Sequence, residues 1–113
     1  MTYHAYYIPE GWAFLKVQVD GCDARIKVFG AWSGSYSVGD TWKINSGCID
    51  IQERENDYLV TGYSGSQYLL NKESNYISSY NQAVLDDMIA ELKSYGHQVE
   101  IISVQDAIAA IGA

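Results

Sequence analysis

The chain carries two histidines, His4 and His97, and two cysteines, Cys22 and Cys48. These are its best acid–base groups and nucleophiles near neutral pH. Neither pair is spaced for chemistry. The cysteines lie 26 positions apart, which fits no zinc or thiol–disulfide motif. His97 directly follows Gly96, where a cation complements the end of a helix. Gly62-Tyr63-Ser64-Gly65-Ser66 approaches the nucleophile-elbow pattern, but Ser66 stands where the motif needs glycine and no helix follows. Asp86 and Asp87, and the acids Glu53, Glu55 and Asp57 around Arg54, read as solvated charge. No catalytic constellation, metal site or cofactor is therefore expected.

The aromatic residues are the more informative feature. Ten Tyr and three Trp occur in 113 residues. Trp32-Ser33-Gly34-Ser35-Tyr36 is echoed by Tyr63-Ser64-Gly65-Ser66-Gln67-Tyr68, each an aromatic-Ser-Gly-Ser followed shortly by Tyr. Ser-Gly-Ser makes turns, and flanking aromatics are ordinary core material. Two equivalent loops on a rigid sheet would instead present rings and hydroxyls to a ligand. On that second view the ligand-binding candidates are Trp32, Tyr36, Trp42, Tyr63 and Tyr68. Tyr76 and Tyr80, with Tyr63 and Tyr68, are placed to line a pocket between sheet and helix, where a dry ring and a wet hydroxyl suit tyrosine.

The formal net charge is -7, from 14 acidic and 7 basic residues. That excludes nucleic acid and anionic membranes as natural partners, since both need a cationic field. It favours a cationic small molecule or a basic protein. The segment from Met1 to Tyr7 lacks a basic stretch followed by an apolar run, so it is not a signal peptide. A cytoplasmic protein with reduced thiols is expected, as is a homodimer, because aromatic-rich sheets with open edges tend to pair.

These residues need a scaffold, and its elements can be read from periodicity. The length indicates one domain spanning residues 1–113. Tyr3 to Ile8 reads as a short strand stopped by Pro9. Leu15, Val17 and Val19 alternate with Lys16, Gln18 and Asp20, which predicts a strand with one buried face. With Arg25, Ile26, Lys27 and Val28 after the Asp20-Gly21 turn, residues 11–29 read as a hairpin. Residues 41–71 read as an antiparallel meander, with turns at Asn45-Ser46-Gly47, at Arg54–Asp57 and at Gly62–Ser66. Val84, Leu85, Met88, Ile89 and Leu92 form one face of a helix over 80–95, with Ser79 and Gln82 as a capping box and Gly96 as its end. His97 to Val104 then reads as a strand, covered on both faces at Ile101 and Ile102. Ser103 and Asp106 cap a last helix over 105–111. The fold class is α+β: an antiparallel sheet packed by one main C-terminal helix, with a late strand and a short terminal helix.

The motif Gly62-Tyr63-Ser64-Gly65-Ser66-Gln67-Tyr68, together with Ser78-Ser79-Tyr80-Asn81, resembles the small orphan proteins encoded by mobile integron gene cassettes. The resemblance implies a bacterial accessory protein that acts as a binding or interaction module, and carries over no catalytic residue. Three functions follow for testing. The first is a non-enzymatic binding module for a small cationic or aromatic ligand. The second is an acidic inhibitor or immunity-type protein directed at a basic protein. The third is a small enzyme acting on an apolar or cyclic substrate in a sheet–helix cleft, with a Tyr, His or Asp as its acid–base group.

Overall fold

The computed structural model describes residues 6–19, 21, 23–32, 41–45, 47–75, 77 and 79–112. Among these residues, eight strands and two α-helices follow in the order β1 (Tyr6–Tyr7), β2 (Gly11–Gln18), β3 (Arg25–Trp32), β4 (Thr41–Ile44), β5 (Cys48–Glu53), β6 (Asp57–Gly62), β7 (Gln67–Asn71), α1 (Ser79–Ser94), β8 (Gln98–Ile102) and α2 (Val104–Gly112). The α+β class holds, with two sheets instead of one. An outer sheet runs β1-β7-β6-β5 and a central sheet runs β4-β3-β2-β8. Neighbours pair antiparallel, except that β1 joins β7 in parallel.

The division falls at Asn45, where the sequence suggested only a turn within one meander. Asn45 donates its backbone N–H to the Val28 carbonyl at 3.2 Å, and its Oδ1 accepts the Val28 N–H at 2.9 Å. One residue thereby satisfies both ladder groups of Val28 just where β4 ends, so the edge is closed without a further strand. Its Nδ2 then donates to Cys48 Sγ at 3.3 Å, at the start of β5. Gly47, at φ +139°, turns the chain between the two sheets, and a side chain there would come within 2.8 Å of the Tyr63 ring. Only β5–β7 therefore make the meander, and β4 belongs to the hairpin sheet.

The central sheet is covered on both faces. Trp12, Phe14, Ile26 and Val28 face the outer sheet's Tyr58, Val60, Tyr68 and Leu70, and α2 closes this core with Val104 and Ala107. Leu15, Val17, Phe29 and Ala31 face the other way, against Leu85 and its helical neighbours Val84, Met88, Ile89 and Leu92. The layers are thus outer sheet, central sheet and α1. This explains why Trp12 to Leu15 are buried without alternation, where a strand with a single buried face was expected. Ile101, expected to be covered, is half-exposed.

Helix boundaries follow local chemistry. Gly96, at φ +90°, donates to the Lys93 carbonyl at 3.0 Å, and His97 N–H donates to that of Leu92 at 3.2 Å, the paired bonds of a Schellman ending. Ser103 Oγ accepts the Asp106 N–H at 3.1 Å and so caps α2. Gln82 donates to Asp86 at 2.9 Å along α1. No described helix is long and apolar enough to cross a membrane.

Candidate functional site

The four described aromatic candidates, Trp32, Trp42, Tyr63 and Tyr68, do not converge on one site. Tyr36 lies outside the described residues, as do Ser33 to Ser35 of the first loop, His4, Cys22 and Tyr76. Tyr68 is fully buried between the sheets. Trp32 donates its indole N–H to the Ile8 carbonyl at 2.9 Å and meets Tyr7 edge-on at 6.5 Å. Tyr7 in turn lies 5.2 Å from Tyr68. Trp32, Tyr7 and Tyr68 therefore form an aromatic seam that fastens the first strand to both sheets. Trp42 and Tyr63 remain at the surface, with exposures of 46% and 62%.

These two rings stand apart, with Arg25 bordering the surroundings of each. The Arg25 guanidinium lies 5.2 Å from the centre of the Tyr63 ring, a cation–π distance. Tyr63 itself sits on the β6–β7 turn, held by its N–H to the Gly47 carbonyl at 2.9 Å. Trp42 stacks on buried Phe29, with ring centres 5.9 Å apart and planes 18° apart. Its outer face borders a groove of about 510 Å³ lined by Val17, Val19, Asp23, Arg25, Lys27, Trp42, Ile44, Met88, Leu92 and His97.

The groove has a simple origin. A helix with its side chains is about 10–12 Å wide, whereas four strands span roughly 19 Å at about 4.8 Å each. A single helix cannot cover such a face. α1 packs against β8, leaving a trough toward β3 and β4. Met88, Leu92 and His97 form one wall, Trp42 and Ile44 the other. The volume lies within the range of about 300–1,000 Å³ usual for small-molecule sites.

Charge in the groove opposes that of the whole chain. Among the described residues, Arg25 and Lys27 share the lining with one carboxylate, Asp23, and the imidazole of His97. Burial first, and then Arg25, hold the Lys27 ammonium below the ordinary lysine value, against a smaller opposing pull from Cys48. His97 Nδ1 is buried without a hydrogen-bond partner among the described residues. No serine, threonine or cysteine lines the groove among the described residues. No cluster of three or more His, Cys, Asp or Glu able to hold a metal occurs among them either.

No family model, curated protein or solved structure matches the chain. The site must therefore be read from its own chemistry.

The sequence reading missed the groove because it treated Arg25 and Lys27 as the wet side of a hairpin. A signal was present. The same side of β3 continues as Phe29 and Ala31, both buried, so one row turns from cationic to apolar. Such a row suits a partly covered face better than a solvated one.

The inter-sheet core holds two perturbed acids. Burial pushes the Cys48 thiol up to about 11, with the Asn45 hydrogen bond and Lys27 pulling the other way. Burial, then Tyr7 and Cys48, push the Tyr68 hydroxyl up to about 12. Both groups hold their protons more tightly folded than unfolded, so stability is whole below pH 9.0 and falls as pH rises through about 12. The Tyr68 hydroxyl also has no hydrogen-bond partner among the described residues. Tyr68→Phe should therefore raise stability by about 1 kcal/mol at pH 7 and flatten the alkaline loss. Urea melts at pH 7, 9 and 11 measure both effects. A variant less stable than the parent at pH 7 would show that the hydroxyl has a partner.

Proposed function

We propose that the chain is a binding module that seats a small, flat, largely apolar molecule in the groove between α1 and the central sheet. The observation that carries this reading is the exposed Trp42 ring, fixed by stacking on Phe29, beside an apolar trough of ligand size. A ring held on one face and open on the other offers stacking area with little entropy left to lose.

Two alternatives fit less well. An acidic inhibitor needs its carboxylates gathered on one surface. Here Asp86, Asp87 and Glu91 are exposed on α1, while Asp50, Glu53 and Glu55 are exposed on the outer sheet and its turn, across the intervening central layer. An enzyme needs a reacting group beside an acid or base, and among the described residues the groove offers His97 and Asp23 without a hydroxyl or thiol nucleophile.

The reading is tested with 2-naphthalenemethanol, a neutral flat probe, followed by tryptophan fluorescence and calorimetry. Saturable binding is expected, weakened about tenfold in Trp42→Ala, which removes one stacked ring. Trp42→Ala should keep its cooperative melt, since Trp42 is a surface residue. Absence of saturable binding, or equal affinity in the variant, removes this reading.

A further inference from the structure

We infer that the ligand of the groove is an aromatic carboxylate, its ring against Trp42 and its anionic head toward Arg25 and Lys27. The inference rests on the groove reading above and adds the chemical class of the ligand. It reverses the expectation drawn from net charge, which favoured a cation.

The argument starts from where the cations are. The chain has only 7 basic residues against 14 acidic ones, yet two of the basic residues lie two positions apart on one side of β3 and line the same groove. In an antiparallel strand such residues share a face. Like charges placed side by side destabilise one another, and Arg25 adds to the burial that lowers the Lys27 value. An anion in the groove relieves that repulsion. Arg25 is held over the Tyr63 ring and makes no salt bridge among the described residues. Guanidinium and carboxylate have matching planar geometry.

The rest of the lining fixes the body of the ligand. Val17, Val19, Ile44, Met88 and Leu92 give it an apolar bed, and Trp42 favours a planar ring. Asp23 stands on the same rim and disfavours a second negative charge, so a monocarboxylate fits better than a phosphate or a dicarboxylate. The imidazole of His97 lines the same groove.

Three probes with one ring separate the possibilities on the intact chain: 2-naphthoate, neutral 2-naphthalenemethanol and 2-naphthylmethylammonium. The bulk charge of -7 favours the ammonium, so the predicted order opposes the non-specific one. Naphthoate should bind at least tenfold more tightly than the ammonium, and its affinity should fall with added salt while that of the alcohol stays constant. In an Arg25→Gln, Lys27→Gln double variant the preference should vanish with the alcohol bound as before, and Arg25→Lys should retain most of it. The ranking in the unaltered protein stands on its own should the double variant fold poorly. If the three probes bind alike, or the ammonium binds best, the carboxylate inference falls and the groove reading survives. If the alcohol and naphthoate both fail to bind, both fall together.

Discussion

Trp12→Ala is expected to cost about 3–5 kcal/mol and to leave the protein at or near the edge of folding. Trp12 is fully buried and touches Phe14 edge-on at 5.6 Å and Tyr58 at 5.9 Å. Tyr58 belongs to the outer sheet, so the contact joins the two layers. The Trp12 indole N–H also donates to the Asn71 carbonyl at 2.9 Å, at the end of β7. One side chain thus supplies both apolar contact and a polar tie between sheets. Truncation opens a cavity between sheets that cannot easily collapse. Trp12→Phe fills part of that space but removes the tie, and should cost less than the alanine variant. Urea unfolding followed by tyrosine and far-ultraviolet signals gives both values. A loss below 1 kcal/mol for Trp12→Ala would mean that the sheets are held together elsewhere.

The second large effect concerns α1. Leu85 is the fully buried residue of that helix, seated against Leu15, Val17, Phe29 and Val99 of the central sheet and its flank. Leu85→Ala should cost about 2–5 kcal/mol. The damage should be uneven. The sandwich core formed by Trp12, Tyr58, Tyr68 and α2 does not include Leu85, so it keeps its contacts. Amide exchange should accelerate most in α1 and least in β2, β3 and β6. Because Met88 and Leu92 form one wall of the groove, affinity for the naphthyl probes should fall as well. Equal acceleration throughout the chain would show that α1 and the sandwich open as one unit.

Much of this architecture was legible in local pattern. The spacing of Val84, Leu85, Met88, Ile89 and Leu92 fixed α1 and its buried side, and Gly96 marked its end. The hairpin of β2 and β3 was legible because alternation and the Asp20-Gly21 turn agree. The separation into two sheets was not. It depends on Asn45 pairing with Val28, 17 positions away, and with Cys48 across the turn, side-chain bonds that no local period reports. The aromatics were legible as a group and not individually. Tyr63 and Tyr68 sit five positions apart, yet one caps a turn in solvent and the other fills the core. Their fates were set by the strand register of β7 and by the position of Gly47, neither of which composition reveals. The groove escaped notice for a similar reason, since it exists only because one helix is narrower than the sheet beneath it.

The place of β8 has a consequence for synthesis. β8 pairs with β2, so the last described strand completes a sheet begun by β2 and β3. Until Gln98–Ile102 have been made, β2 presents an unpaired edge, and Trp12, Ala13, Phe14 and Leu15 lie along it. Such an edge is a template for aggregation. The nascent chain carries it until β8 is made, because β8 is the neighbour of β2 on that side. A holdase chaperone would find its natural target in this early strand, and a ribosome stalled before β8 would release the most adhesive form of the molecule.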